Sequence, residues 1–262
     1  MTTQHSPELV SDELLSLTRS LGRPDRELVI LAEGNTSERL ADGRVVVKAS
    51  GSGMATADKQ DFVVVDVAEL TALLEDPATD QTALSAALVA GEVAGRSRRG
   101  SIEALVHVSV QALSPAPALS RYVGHTHPTA VVGLLASVHA DDAYRHHVYS
   151  DEAVVIGRPL FIPYAQPGIE LGRVFHAALK QRVAETGELP SLILLGNHGI
   201  VAIGPTADGV DGISAMAVKG AKVRAIGYAV GGVAPLSDEA VAKFFARDDI
   251  ARRRTDLAGG AL

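Results

Sequence analysis

The sequence predicts a single α/β domain, on three observations. Segments whose apolar residues recur at helical spacing alternate along the chain with short apolar runs typical of strands. The 262 residues suit one large domain, and no internal repeat or convincing linker divides them. Hydrophobic residues make up 47% and charged residues 21%, an ordinary composition for a soluble globular protein.

The N-terminal half begins with an amphipathic helix and continues into strands. Residues 6–21 predict the helix because their apolar residues recur at helical spacing. Residues 33–37 are interpreted as a loop that leads into a strand pair around Asp42-Gly43, a strong hairpin signal. Residues 76–99 fit either a helix at about 82–94 or irregular strand. Further strands are predicted over residues 45–48 and 62–67, and helices over 68–75 and 101–113.

The C-terminal half alternates short strands with longer helices. Residues 169–186 and 207–230 predict two long helices, and a last helix is predicted over about 236–254. Short apolar runs predict strands over residues 154–156, 160–162, 190–195 and 200–203.

Composition excludes several classes of function. The net charge is −7 and no basic run has the length or aromatic interleaving of a nucleic-acid surface. The first twenty residues lack the long apolar core of a signal peptide, and no apolar run approaches the ~20 residues of a membrane span. We therefore expect a cytoplasmic protein that binds neither nucleic acid nor membrane.

The stretch that begins at Gly124 places two histidines two residues apart after a short apolar run. On a strand, side chains alternate faces, so His125 and His127 would point to the same side and could share one metal ion. Pro128 suits the first position of the helix that follows at residues 132–136. The pair would then lie at a strand end, where α/β proteins place their sites. Alone, the pattern fits two ordinary, partly buried histidines equally well.

A third histidine strengthens the metal interpretation. His198 stands between Asn197 and Gly199 in an otherwise apolar strand region, where a glycine often marks close approach by a ligand or by backbone. The chain has no cysteine, so any protein ligand to a metal must come from His, Asp or Glu. Zinc held by three histidines with an open position is a familiar catalytic arrangement of that kind.

Two further motifs each allow a structural and a functional interpretation. Glu103 lies in the first turn of the helix predicted over residues 101–113. There a carboxylate either complements the helix dipole, which the local sequence favours, or serves as a catalytic acid/base. Residues 49–53 are either a turn that leaves a strand or a glycine-rich loop whose N–H groups and hydroxyls bind an anion.

Five short motifs follow one another along the chain. They are Gly34-Asn35-Thr36-Ser37, Lys48-Ala49-Ser50-Gly51, Ser101-Ile102-Glu103, His125-Thr126-His127 and Asn197-His198-Gly199. In this order and spacing they resemble the class II aldolase/adducin family, of the fuculose-phosphate aldolase type. The resemblance covers roughly residues 8–230 and leaves about 236–254 as a C-terminal helix of the same domain, residues 1–262.

The resemblance implies a central, mainly antiparallel β-sheet flanked by helices. It implies a divalent metal ion, most simply Zn²⁺ with Mn²⁺ or Co²⁺ as alternatives, on His125, His127 and His198. It also implies that Glu103 acts as acid/base beside the metal. Family members are commonly tetramers with sites between neighbouring subunits, so a homotetramer is expected.

The rest of the pocket follows the family less closely. The resemblance places a phosphate pocket on Asn35, Ser50, Gly51 and Ser101. Related aldolases often have two adjacent serines before the glutamate, and here Ile102 replaces the second hydroxyl. Tyr149 is the nearest candidate for the tyrosine that protonates the leaving aldehyde.

The function that the resemblance implies is a metal-dependent aldolase, a carbon–carbon lyase. It would cleave a ketose 1-phosphate or related hydroxy-ketone to dihydroxyacetone phosphate, or a similar donor, and an aldehyde through a metal-stabilised enediolate. The alternatives are a decarboxylase of a phosphorylated 3-oxo sugar acid, a pentulose-phosphate 4-epimerase, and a non-catalytic adducin-like interaction module. The epimerases carry an aspartate at the position of Glu103, and an interaction module need not keep the three histidines.

Overall fold

A mixed β-sheet runs through the centre of the computed structural model, which describes residues 2–93, 96–250 and 252–253. A separate hairpin accompanies the sheet, and both are formed by short strands. The strands are β1 (Thr3–Gln4), β2 (Asn35–Arg39), β3 (Val45–Lys48), β4 (Phe62–Val65), β5 (Val89–Val93), β6 (Arg96–Arg99), β7 (Tyr122–Thr126), β8 (Leu160–Ile162), β9 (Leu192–Leu195) and β10 (Gly199–Gly204).

Within the described residues the main sheet has eight strands, in the order β1-β4-β3-β2-β7-β10-β9-β8. Every neighbouring pair is antiparallel except β8 and β9, which are parallel. Strands β5 and β6 pair with each other outside this sheet. The prediction of a central, mainly antiparallel sheet is therefore confirmed.

Helices cover both faces of the sheet. Because side chains alternate along each strand, one set of strand residues packs against α1, α5 and α8, and the opposite set packs against α2, α4 and α7. No helix in the described part of the chain is both long enough and apolar enough to cross a membrane. The helices are α1 (Asp12–Leu21), α2 (Val67–Glu75), α3 (Gln81–Ala87), α4 (Ala104–Leu113), α5 (Thr129–Leu135), α6 (Ser150–Ile156), α7 (Ile169–Thr186), α8 (Ala207–Ala229) and α9 (Asp238–Phe245).

Two predicted elements differ from the structure. The sequence predicts a strand over residues 154–156, but they form the end of α6, because a three-residue apolar run does not distinguish a strand from a helix. The start of that helix lies in the polar residues Ser150-Asp151-Glu152, where acidic side chains suit a first turn. Residues 35–37 are predicted in a loop but begin β2, whose side chains here are polar and buried.

For two other segments the structure defines the secondary structure more closely than the sequence does. Residues 76–99, which fit either helix or irregular strand, contain both a short helix, α3, and the hairpin of β5 and β6. The last helix is expected over about 236–254, but α9 ends at Phe245. Residues 246–247 form a turn and a bend, and residues 248–250 are helical again. Residues 251 and 254–262 of that segment lie outside the described part of the chain.

Candidate metal centre

His125 lies near the C-terminal end of β7, in the middle of the sheet. It pairs in register with Asn35 of β2 on one side and with Val201 of β10 on the other. Its Nδ1 is 2.9 Å from the carbonyl oxygen of Ile200 and donates to it. This bond directs Nε2 of the buried ring towards the end of the sheet, so that the ring in its neutral form would present a lone pair there, as metal-binding histidines do.

His127 follows directly after β7. Its backbone N–H donates to the carbonyl oxygen of Leu28 at 2.8 Å, which fixes the chain as it leaves the strand. Its Nδ1 lies 3.5 Å from Oε2 of Glu33, a carboxylate that also accepts from the backbone N–H of Ile30 at 3.0 Å. Pro128 caps α5 from the position before its first residue, one place earlier than predicted.

His198 stands in the tight turn between β9 and β10. The turn is possible because Asn197 adopts a left-handed backbone conformation, with φ of 53°. Gly199 is required by close packing, since a Cβ atom there would lie 2.3 Å from the carbonyl oxygen of Thr126 and 2.8 Å from Cδ2 of His127. The glycine beside His198 thus marks close approach of backbone to the histidine pair.

The three imidazoles and Glu103 converge on one point. The ring centroids of the three imidazoles are 4.8–5.0 Å apart. One ligand atom from each of the four side chains lies within 4.8 Å of the others. Glu103 occupies the N-cap position of α4, but its side chain makes no capping hydrogen bond and is directed at the histidines instead. Its Oε2 lies 3.3 Å from Nε2 of His125, and its Oε1 lies 3.0 Å from Nε2 of His198.

This donor set fits a divalent cation. Nε2 of His125 and Nε2 of His127 face each other at 3.1 Å, close enough for the two rings in their neutral form to bind one ion. Nδ1 of His198 is buried and has no hydrogen-bond partner among the described residues. Three imidazoles and one carboxylate without sulfur are the ligands that zinc and its neighbours accept.

Burial would lower the pKa of His125, but the nearby Glu103 carboxylate outweighs it and raises that pKa. Burial would raise the pKa of Glu103, but the charges and hydrogen bonds of His125 and His198 outweigh it and hold that pKa well below its ordinary value. Burial, together with the charges of His125 and His198, lowers the pKa of His127 to about 3. The carboxylate is thus ionised, and His127 is neutral, as metal ligands must be.

Asn35 and Ser101 lie beside Glu103. The side-chain amide of Asn35 donates to Oε2 of Glu103 at 3.1 Å and to Oγ of Ser101 at 3.3 Å. The same Oγ accepts from the backbone N–H of Glu103 at 3.2 Å. Because this oxygen accepts both bonds, the hydroxyl proton of Ser101 is free to donate to a bound molecule.

Ser50 and Gly51 lie in the loop after β3, next to Ser101. The bridge between Ala49 and Gly100 and the bond from the Ser50 N–H to the carbonyl oxygen of Arg99 hold this loop against the hairpin strand β6. Gly51 has φ of +86°, a conformation that favours glycine. Two of the four expected pocket residues are thus in direct contact with Glu103 through hydrogen bonds, and the other two lie in the neighbouring loop.

Lys48 is buried behind this loop, with its side chain directed at loop carbonyls. Its Nζ donates to the carbonyl oxygens of Ala49 at 3.0 Å and Ser52 at 2.5 Å. Burial lowers the pKa of Lys48 to about 8, although the carboxylates of Asp61 and Glu103 act to raise it. A positive charge therefore lies beneath the loop at neutral pH.

The buried Lys48 predicts a specific pH dependence of stability. Its pKa is about 8 when folded and about 10.5 when unfolded, so between these values the unfolded chain binds more protons and the free energy of unfolding rises with pH. Lys48→Met removes this rise. Relative to the variant, the wild type should therefore gain up to about 3 kcal/mol of stability from pH 8 to pH 10.5. Urea unfolding at several pH values measures the difference.

The exposed Lys222→Met is the matched control for that measurement, because Lys222 has no such buried environment. The difference in stability between wild type and the Lys222 variant should stay constant with pH. A constant difference for the Lys48 variant as well would contradict the assignment of a buried charge at Lys48.

The side chains of Tyr149 and Ile102 pack on other parts of the fold. The hydroxyl of Tyr149 contacts Sδ of Met216 at 2.7 Å, and its ring lies 5.3 Å from Nζ of Lys219, so it packs on α8. Ile102 is half-buried and packs against the core between the sheet and α4, so it offers the site no hydrogen-bond donor.

Three residues at the site carried no clear signal in the sequence. Glu33 approaches His127, Lys48 underlies the loop, and His107 bonds to Asn35. Glu33 lies beside one recognised motif and Lys48 lies within another, but neither motif marks them as site residues. The spacing of Glu103 and His107, four residues apart on one helix face, places His107 near the site without indicating its partner.

Comparison with known proteins identifies the family of this chain. Residues 12–210 match the model of the class II aldolase and adducin N-terminal domain. Comparison with functionally curated protein sequences gives no significant match.

Three solved structures share the fold of this chain. The N-terminal class II aldolase domain of a conserved Thermoplasma acidophilum protein is 23% identical with a TM-score of 0.60, and the match covers 81% of this chain and 92% of that one. YgbL from Escherichia coli, an aldolase/epimerase/decarboxylase-type protein, is 19% identical with a TM-score of 0.62 over 89% and 96%. L-fuculose-1-phosphate aldolase from Thermus thermophilus is 19% identical with a TM-score of 0.58 over 87% and 100%.

Proposed function

The chain belongs to the class II aldolase and adducin family, and from that membership we propose that it is a metal-dependent aldolase. It cleaves a ketose 1-phosphate, or a related hydroxy-ketone, to dihydroxyacetone phosphate or a similar donor and an aldehyde. The observation that carries the proposal is the position of Glu103, whose carboxylate lies within 3.3 Å of two of three converging histidines.

His125, His127 and His198 are the proposed metal ligands, and Zn²⁺ is the proposed ion, with Mn²⁺ or Co²⁺ as alternatives. A divalent ion there would supply Lewis-acid polarisation of the carbonyl and hydroxyl oxygens of the substrate. Three neutral imidazoles leave the ion its full charge and open positions. The Nδ1 bond of His125 to Ile200 and the approach of Glu33 to His127 orient two of the rings.

Glu103 is the proposed acid/base. Cleavage of the carbon–carbon bond leaves an enediolate, and its carbon must gain a proton before the donor product leaves. In the synthetic direction the same carbon must lose that proton. A carboxylate that is ionised before substrate arrives accepts the proton in one direction and returns it in the other. Asn35 holds Oε2 of that carboxylate, which fixes its position during both steps.

The anionic end of the substrate is proposed to bind at Asn35, Ser50, Gly51 and Ser101. Ser101 has a hydroxyl proton free to donate, and Gly51 gives a ligand close access to loop backbone. The buried Lys48 adds a positive charge beneath the loop. Together these features compensate for the hydroxyl that Ile102 does not provide.

A second candidate is decarboxylation of a phosphorylated 3-oxo sugar acid, or epimerisation of a pentulose phosphate. The likeness to YgbL, an aldolase/epimerase/decarboxylase-type protein, favours keeping both. The decarboxylation passes through the same kind of enediolate, and the epimerisation breaks and reforms the same kind of carbon–carbon bond. The His/Glu cluster therefore suits both reactions. Glu103 argues against the epimerase, whose members carry aspartate at this position. The intact His/Glu cluster argues against a non-catalytic adducin-like module.

We propose that the protein is a cytoplasmic homotetramer in which a second subunit completes the site. Large apolar side chains are exposed on three segments around the metal centre, which is the surface that such a subunit would cover. Ile30 and Leu31 lie beside Glu33, Val138 follows α5, and Tyr164 follows β8. Tyr149, which packs on α8 of its own chain, remains a candidate proton donor in that assembly.

Proton exchange into the donor tests the proposed function. Protein loaded with Zn²⁺, Mn²⁺ or Co²⁺ is incubated in D₂O with dihydroxyacetone phosphate, and separately with dihydroxyacetone. We expect metal-dependent incorporation of one deuterium at the donor carbon, measured by NMR, with the phosphorylated donor preferred. Metal-loaded protein that exchanges no donor proton would contradict the aldolase, and loss of CO₂ from a 3-oxo sugar acid phosphate would favour the decarboxylase.

A further inference from the structure

A buried hydrogen-bonded chain runs from β2 to Glu103 through His107. Asn35 and Ser37 are two residues apart on β2, so their side chains point to the same face of the sheet. Glu103 and His107 are four residues apart at the start of α4, so they share one face of that helix. The helix packs on this face of the sheet and places the imidazole of His107 between the two strand side chains.

The direction of each hydrogen bond in the chain is fixed by Glu103. Its ionised carboxylate accepts only, so the side-chain nitrogen of Asn35 donates to it and the amide oxygen faces the other way. That oxygen contacts Nε2 of His107, which must therefore carry a proton and donate it. Nδ1 of the neutral ring then accepts from the hydroxyl of Ser37 at 2.6 Å. Burial lowers the pKa of His107 to about 3, in agreement with a neutral ring.

We propose that His107 is a positioning residue for the aldolase reaction: its Nε2 proton sets the orientation of the Asn35 amide and, through it, the positions of the Glu103 carboxylate and the Ser101 hydroxyl. Without this donor the buried amide oxygen of Asn35 has lost its hydrogen bond with His107, so the amide is no longer held in place from behind and can shift away from the carboxylate and the Ser101 hydroxyl. The inference rests on the proposed function for its effect on rate, and on the structure alone for the hydrogen bonds.

The side chains that form this hydrogen-bonded chain are shielded from water, and their burial strengthens the hydrogen bonds between them. Ser37 and His107 are completely buried, and Asn35 is 2% exposed. A buried polar group that loses its partner destabilises the fold because water cannot replace the bond. The three bonds also run in the same sense, from Ser37 to Glu103, so each polarises the next. The amide therefore has one favourable orientation in the intact chain.

Substitution of His107 separates positioning from general stability. His107→Leu should lower the rate of donor proton exchange by about tenfold to hundredfold, the range typical of groups that orient a metal site from behind. The metal content should change little, because the three proposed metal ligands are unchanged. His107→Gln retains an N–H donor and should restore part of the rate. His176→Leu is the control, since His176 is a second buried histidine that bonds to Ser109 of α4 and touches none of the cluster.

A double-mutant cycle shows whether His107 acts through Asn35. In an Asn35→Ala background, His107→Leu should reduce the remaining rate by no more than roughly twofold, because its partner is already absent. An equal factor in both backgrounds would overturn the proposal. So would a loss of rate that merely follows a loss of stability, as expected for His176→Leu.

A second readout does not depend on enzyme activity. Nitrogen-15 NMR of the imidazoles should show His107 as the Nε2–H tautomer with a slowly exchanging proton, identified by its absence in His107→Gln. Asn35→Ala should shift that resonance and speed its exchange, and an unchanged resonance would overturn the proposal. If wild type exchanges no donor proton with any metal but shows this resonance, the proposed function fails while the hydrogen-bonded chain stands.

Discussion

His125→Ala and His198→Ala should each release the metal and abolish activity. Wild-type protein is expected to hold about one divalent ion per chain, and each variant close to none. The remaining two imidazoles and Glu103 lack the third neutral ligand that defines an open zinc site. The rate of donor proton exchange should fall by at least about a thousandfold, since removal of a Lewis acid costs several kcal/mol of transition-state stabilisation.

Metal analysis of purified protein and thermal unfolding measure this result together. Metal that binds only the folded chain stabilises it by about 4 kcal/mol at a free concentration a thousand times its Kd, so wild type should unfold at higher temperature when metal is added. The two variants should show no such increase. His146→Ala is the matched control, because His146 is exposed and belongs to no cluster among the described residues. Unchanged metal content in His125→Ala would remove the site.

Much of this candidate centre could be predicted from residue patterns because the proposed ligands lie on regular or tightly turned backbone. The period of two on β7 placed His125 on one side of the sheet, and glycine beside His198 signalled close packing. Periodicity also identified α1, α7 and α8, whose apolar residues recur over many turns. These features depend on local sequence, which is what such patterns report.

The partners of the ligands could not be predicted in the same way. His107 meets Asn35 from a position 72 residues away in the chain, and Glu33 meets His127 only because two loops meet at the sheet end. The buried polar residues Asn35 and Ser37 also hid β2, since strand patterns are recognised from apolar side chains. The polar side chains that β2 contributes to the candidate site therefore prevented its recognition as a strand.

Glu103→Gln should separate metal binding from chemistry. The three histidines are unchanged, so about one ion per chain should remain. A glutamine oxygen can still accept from Asn35, so the structure should hold. The side chain can no longer take up or release a proton, and the exchange of donor protons should fall by about a hundredfold to ten-thousandfold, the contribution typical of general acid–base catalysis.

The Glu103→Gln experiment is decisive because its three outcomes differ in kind. Deuterium incorporation into the donor is compared per bound metal ion, with the exposed Glu185→Gln as the control of equal chemistry. Normal exchange in a metal-loaded Glu103 variant would assign proton transfer to another group. Loss of metal together with loss of exchange would instead make Glu103 a required ligand. Retained metal with lost exchange is the result expected of a carboxylate that lies beside the ion and carries the proton.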